Sequence, residues 1–229
     1  SAALKKPKYK MVIDHYFNTI ASKKESITSL NTAFSNEGAY IQIPKNTIVP
    51  KPIQIMYFST GSEAQIMLQP RNLIIVGENS HVQIVERHQS INNNVVLSNS
   101  VSEIFAKKRA IIDYYKIQND QITSSLIDNT YVQQQQQSIV SVNTFSFGGN
   151  LTRNNLEFYQ EGEHITSNLN GITIIGDKQL VDNHTLVNHK FPNCESHELY
   201  KGIYADSSTG VFNGKVIVEK EAQKTNAFQ

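Results

Sequence analysis

The amino-acid sequence predicts an all-β fold, and three observations carry that reading. Short apolar or alternating runs follow one another from residue 39 to residue 228, commonly about a dozen residues apart, the rhythm of a chain of many short strands. The separators are Asn, Gly, Ser, Asp and Gln, with almost no helical periodicity between them. Hydrophobic residues make up 39% of the 229 residues and charged ones only 18%. Asn, Gln, Ser and Thr fill the difference, a mixture too weakly charged and too rich in β-branched residues for a disordered chain.

In order, residues 1–38 read as a partly irregular lead-in. Residues 11–20 (MVIDHYFNTI) suit a strand or a short helix, and residues 21–38 read as polar loops. The basic cluster at Lys5, Lys6, Lys8 and Lys10 reads as a solvated end. Residues 39–229 read as one strand-built domain. Strands are expected at 39–43, 53–58, 64–68, 73–76, 82–85, 111–115, 138–147, 172–175, 203–205 and 216–218. Pro44, Pro50 and Pro52 mark a corner, because proline cannot donate to a sheet ladder. Residues 80–85 alternate, with Val82 and Ile84 on one face and His81 and Gln83 on the other. In Tyr114–Tyr115 one ring is expected inside and one outside. Gln133–Gln137 is expected to continue a solvent-facing strand or to turn.

Weak self-similarities favour stacking. Residues 150–159 and 180–188 each set an Asn-centred polar patch inside an alternating stretch, and Asn170–Gly171 and Asn213–Gly214 each accompany an apolar run. Stacked rungs would align Asn, Ser and Thr into ladders. A β-sandwich and a β-solenoid both remain open on pattern; the near absence of hairpin spacing favours the solenoid.

Composition excludes several function classes. The formal net charge is +1, so no field favours nucleic acid or an anionic membrane. No run reaches the ~20 apolar residues of a membrane helix. Ser1-Ala2-Ala3-Leu4 lacks the apolar core of a signal peptide, which makes cytoplasmic residence the expectation. Cys194 is the one cysteine, so no intrachain disulfide can form.

Residues with chemistry are sparse. His184, His189, Cys194 and His197 form the tightest group, and imidazole with thiolate suits zinc or iron. Their spacing fits no standard zinc motif. On a strand His184 and His189 would face opposite ways, so a structural role competes with a metal site. His197 lies too close to Cys194 in sequence for the usual nucleophilic dyad. No nucleophile elbow, dinucleotide fingerprint or phosphate loop is present. Glu157, Glu161, Glu163, Asp177 and Asp182 are the carboxylates that a secreted polysaccharide-acting β-helix enzyme or adhesin would use. Against that alternative, the chain has no Trp to platform a sugar.

The stretch Gln69-Pro70-Arg71-Asn72-Leu73-Ile74-Ile75-Val76-Gly77-Glu78-Asn79, followed by Val82-Gln83-Ile84-Val85-Glu86-Arg87-His88, closely resembles the core of the SufD family. These are subunits of the Suf system for iron–sulfur cluster assembly. Ile43-Pro44-Lys45-Asn46 with Pro52-Ile53, Asn150-Leu151-Thr152-Arg153-Asn154, and Val211-Phe212-Asn213-Gly214 running into Gln223-Lys224-Thr225-Asn226-Ala227 agree in the same order. The resemblance implies a single-stranded right-handed parallel β-helix and a non-catalytic scaffold. It implies pairing with a SufB-like paralogue and a SufC-like ATPase, and a transient iron–sulfur cluster in the full complex; the unpaired edge of an exposed terminal rung predicts a homodimer in isolation. SufB-like chains follow the equivalent glutamate with a Gly-Cys pair; here Glu86 is followed by Arg87-His88, which favours SufD. Only a thiolate accepts persulfide sulfur. Against the family pattern, the N-terminal helical region and a C-terminal Cys-Ser-His-Gly-like segment are expected to be missing, making this a core fragment. No catalytic residue is carried over.

Overall fold

The computed structural model describes residues 5–21, 25–60 and 65–229. Two helices, α1 (Pro7–Tyr16) and α2 (Ser26–Phe34), precede the strands. These are β1 (Tyr40–Ile43), β2 (Ile53–Ser59), β3 (Ile66–Leu68), β4 (Arg71–Val76), β5 (His81–Ser90), β6 (Val96–Ala106), β7 (Ile111–Gln118), β8 (Ser124–Gln135), β9 (Ile139–Ser146), β10 (Leu151–Glu161), β11 (Thr166–Ile175), β12 (Leu180–His189), β13 (Glu195–Tyr204), β14 (Thr209–Val218) and β15 (Asn226–Phe228). The strands form two parallel sheets, and from β4 onward even strands join one and odd strands the other. Sheet A runs β1-β4-β6-β8-β10-β12-β14, with β3 also on β6, and sheet B runs β15-β13-β11-β9-β7-β5-β2. The chain therefore coils as a β-solenoid of about six turns. The dozen-residue rhythm of the sequence is half a turn.

Register explains the core. Ile74, Ile104, Val132, Phe158 and Val187 lie on successive rungs of sheet A in one column. Val82, Ile112 and Val140 do the same in sheet B. All are fully buried, and each such side chain contributes about 1.5–3 kcal/mol. The two Asn-centred patches are indeed stacked: β10 pairs β12 with Asn154 on Asn183, whose side chains bond at 2.8 Å. The two Asn-Gly steps are not stacked, since β11 belongs to sheet B and β14 to sheet A, and both steps lie inside their strands.

The tight corner from sheet A to sheet B repeats one backbone device. Asn46, Asn79, Arg109, Gln137, His164, Asn193 and Lys224 all take φ between 54° and 61°, left-handed values that a short polar residue tolerates best. The first two also bond side chain to side chain at 2.8 Å. The glutamine run serves this corner. Gln137 turns, while Gln134 is fully buried, not solvent-facing, and gives its amide to Thr166 O at 3.0 Å.

Residues 5–38 depart from the expected lead-in. The lysine cluster is exposed, as expected, but straddles the start of α1, whose first residue is Pro7, where the missing N–H costs nothing. Val12, Ile13, Tyr16, Phe17 and Ile20 cover Leu73, Ile75 and Phe105 on the outer face of sheet A. A carboxylate clasp holds this layer. Glu103 accepts the backbone N–H groups of Asn18, Thr19, Ile20 and Ala21 at 2.7–3.2 Å and the Arg71 guanidinium at 2.7 Å. The strand expected at 64–68 begins at Ile66; Ala64 lies outside the described residues.

Candidate functional site

Inside the solenoid, between the first rungs, four ionisable side chains meet. Inward parity places them: in β5 the inward residues are Val82, Ile84, Glu86, His88 and Ser90, and in β7 they are Ile112, Tyr114, Lys116 and Gln118. Glu86 sits one rung below Lys116 in register. Asp128 faces them from β8 of the opposite sheet. None of the four is more than 5% exposed.

Every partner in this cluster is specific. Glu86 accepts from His88 Nε2 at 2.7 Å, from Asn72 Nδ2 at 3.0 Å and from the Tyr114 hydroxyl. Lys116 pairs with Asp128 and donates to Thr130 at 2.5 Å. Tyr57 of β2 stacks on the His88 ring at 4.9 Å and gives its hydroxyl to Asn72. Two acids thus face two bases in a dry interior, the arrangement a buried charge needs.

The electrostatics follow from this geometry. Burial alone would raise the Glu86 carboxyl, but the Lys116 charge and the His88 hydrogen bond hold it down to about 2. Burial would lower His88; its bond to Glu86 overrides that and lifts it above the usual imidazole value. Burial pushes Asp128 up against the pull of Lys116. Tyr114 is driven well above a normal phenol by burial and by Glu86. The cluster stores charge and protons out of water. It contains no thiol.

The four residues singled out from sequence occupy four separate settings. His184 lies on the outer face of sheet A, 2.8 Å from Asp182, which Arg153 also binds at 3.0 Å. His189 faces the interior at 3.1 Å from Ser196 Oγ, and burial lowers its pKa. The predicted opposite facing of this pair holds. Cys194 lies buried in the following turn, gives its S–H to Gly162 O, and has its thiol pKa raised by burial. His197 stacks flat on Phe228 at 5.1 Å on sheet B. Among the described residues no group of three or more His, Cys, Asp or Glu is placed to hold a metal ion. The carboxylates considered for glycan chemistry are also dispersed: Glu161 pairs with Lys190, Glu157 accepts from Tyr159, and Asp182 serves Arg153 and His184.

Sequence reasoning passed over Lys116 and Asp128 and used Glu86 and His88 only to separate paralogues. A signal was present. In both VQIVERHQS and IIDYYKIQ the inward-facing positions change from apolar to ionisable partway along the strand.

Comparison with known proteins supplies the lineage. The family model described as SUF system FeS cluster assembly, SufBD core domain, matches residues 57–229, and the SufBD protein N-terminal region matches residues 2–55. The N-terminal region expected to be missing is therefore present, as α1 and α2. An iron–sulfur cluster assembly SufBD family protein of Synechocystis sp. is 30% identical over 94% of this chain and 49% of its own length. Protein ABCI7, chloroplastic, of Arabidopsis thaliana is 30% identical over 88% of this chain and 44% of its own. The iron–sulfur cluster assembly protein SufD of Bacillus subtilis is 24% identical over 95% and 50%. The chain thus spans about half the length of the curated relatives it matches. With both family regions in place on a two-sheet parallel solenoid, the chain belongs to the SufBD family.

Proposed function

We propose that this chain serves Suf iron–sulfur cluster assembly as a SufD-type, non-catalytic scaffold subunit. It pairs with a SufB-like paralogue and engages a SufC-like ATPase. Family membership supports the system. The observation that carries the SufD-type reading is the lumenal position of His88. SufB-like chains resemble this one but bring a cysteine to the Glu-x-x step, where a thiolate would accept sulfur. Here that inward position holds an imidazole bonded to Glu86. The one thiol, Cys194, is buried in a turn with its pKa raised, which opposes nucleophilic sulfur chemistry.

A scaffold reading also suits the surface. Sheet B presents Ile172, Ile174 and Ile203 exposed on its outer face, with exposed Phe147 just past the end of β9, and unpaired strand edges invite pairing with another chain. Co-expression of the protein with SufB-like and SufC-like subunits tests the reading. A stable ternary complex is expected, with persulfide recovered on the SufB-like subunit and none on Cys194. Absence of a complex, or persulfide on Cys194, would overturn it.

A further inference from the structure

One half of the outer face of sheet B is apolar and open. In register there, Phe145 of β9 stands beside Ile172 of β11, and Ile174 of β11 beside Ile203 of β13. Phe147 extends the second row: it follows Ser146, the partner of Thr173, and its ring lies 6.0 Å from that of Phe145. Phe147, Ile172, Ile174 and Ile203 are 39–65% exposed. Single exposed apolar residues need no explanation, but aligned rows mark an interaction site.

The first row ends in charge on both sides. Arg87, Ile117, Phe145, Ile172 and Lys201 form one continuous column across five strands. Neither Arg87 nor Lys201 has an ion pair or a side-chain hydrogen bond among the described residues. Beyond the second row, Asp177 and Asp206 lie exposed past the ends of β11 and β13, with Asp206 accepting the Asp177 N–H at 3.1 Å.

The molecule itself shows what covers such rows. On sheet A, Val12, Ile13, Tyr16 and Phe17 of α1 and its C-cap lie over Leu73 and Ile75, two apart on β4, and Phe105 across on β6. The open rows of sheet B repeat that geometry. Strand addition is closed to a partner here, since β9 and β11 each pair on both edges. A second copy is opposed by charge. Either two-fold axis that stacks this face on itself sets cation over cation, Arg87 on Arg87 or Arg87 on Lys201.

We propose that this face of sheet B docks an amphipathic helix of a partner protein, its axis along the rows and its acidic side chains over Arg87 and Lys201. The two cations are four rungs apart, roughly 19 Å at ~4.8 Å per rung, or about 13 residues of helix. The recognised pattern is an apolar helical stripe with acids at that spacing on one flank. Basic residues on the other flank meet Asp177 and Asp206. The docking helix extends the scaffold reading; binding to the isolated protein is measured apart from ternary assembly, so either can fail without the other.

Fluorescence anisotropy on the purified protein tests this with three labelled synthetic helices of about 18 residues. One carries a leucine stripe and glutamates about 13 positions apart, one has lysines in place of those glutamates, and one scrambles the stripe. The glutamate helix is expected to bind, the scrambled helix not to bind, and the lysine helix to bind at least ~10-fold more weakly. Lys201→Glu is expected to weaken the glutamate helix about 5-fold and to strengthen the lysine helix, a swap that lost folding does not produce. Ile172→Thr with Ile174→Thr, which keeps β-branched residues on an exposed face, is expected to abolish binding with an unchanged Tm. No binding of the glutamate helix, equal binding of all three, or an unchanged preference in Lys201→Glu would each overturn the proposal. Binding of phosphatidylglycerol vesicles in place of the helix would overturn it as well.

Discussion

From Glu86 to Asp128 the interior of the solenoid carries two carboxylates, an imidazole and an ammonium, whereas from Gln134 to Ser196 equivalent inward positions carry amides, hydroxyls and a histidine whose pKa burial lowers. The later region repeats one economical pattern. Gln134 bonds Ser138 and accepts from Ser167, Gln160 bonds Ser167, and His189 bonds Ser196. Gln160–Ser167 and His189–Ser196 each tie the end of a sheet A strand to the start of the next sheet B strand, and Gln134 reaches both Ser138 in its own turn and Ser167 one rung on. The earlier region satisfies its polar groups with charge instead. Charges in a dry interior carry a desolvation cost that neutral ladders avoid, and well-packed apolar groups often replace such clusters without loss. The difference teaches that stacking alone does not require the charged cluster, which marks it as the interior feature most in need of a functional explanation.

The largest expected effect breaks the cluster by one member. Glu86→Leu leaves His88, Asn72 and Tyr114 without their common acceptor, removes a charge that Lys116 faces, and is expected to destabilise by about 3–5 kcal/mol in urea unfolding. Replacing Glu86, His88, Lys116 and Asp128 together by apolar residues is expected to restore most of that loss. A quadruple variant as unstable as Glu86→Leu would mean the charges are structurally required, and the contrast between the two regions would fail.

Titration sharpens the same contrast. Glu86 is held below its ordinary 4.5, at about 2, so its contribution is present above 4.5 and lost as pH falls through about 2. His88 is raised above its ordinary 6.5, so its contribution is complete below 6.5 and lost as pH rises through the lifted value. The pair is therefore at full strength between pH 4.5 and 6.5. Stability measured against pH should decline on the alkaline side, and His88→Gln should remove that decline. An unchanged alkaline limb in His88→Gln would place the titrating group elsewhere.

Much of this architecture was readable beforehand, and the failures are physical. Val82, Ile84 and the Asn-centred patches of β10 and β12 announced themselves because one face of each strand is apolar or repeats. β6 did not, because its residues from Asn99 to Ala106 are buried on both faces, the outer one partly under α2, and alternation vanishes. β8 hid for the opposite reason: Ser124, Asp128 and Thr130 are polar and yet buried. α1 was ambiguous since its apolar residues, Val12, Ile13 and Tyr16, contact a sheet through a short stripe. The Glu86–Lys116 contact spans a whole turn in sequence, so local pattern could flag its members but not join them.

A neutral-ladder variant supplies the intermediate case. Gln160→Leu removes the bonds to Ser167 and to Glu195 O but strands no charge. It is expected to cost about 1–3 kcal/mol, the range for leaving neutral buried partners unmet. A cost equal to that of Glu86→Leu would erase the distinction between the two interiors.

The smallest effect belongs outside the solenoid. His184 shares Asp182 with Arg153, so His184→Ala leaves the carboxylate one partner at 3.0 Å and leaves no charge buried. Partly exposed pairs of this kind contribute little, and the change is expected to stay within about 0.5 kcal/mol. The comparison with Glu86→Leu is informative because both variants break a carboxylate–imidazole contact of almost the same length, 2.8 Å outside and 2.7 Å inside. Distance is matched, so the variants differ in solvent access and in the further donors, Asn72 and Tyr114, that Glu86 serves. If thermal unfolding gave the two variants similar losses, burial would not be what gives the Glu86–His88 pair its strength. The bonds to Asn72 and Tyr114, which the same variant removes, would add nothing measurable either, and the interior cluster would lose its special standing.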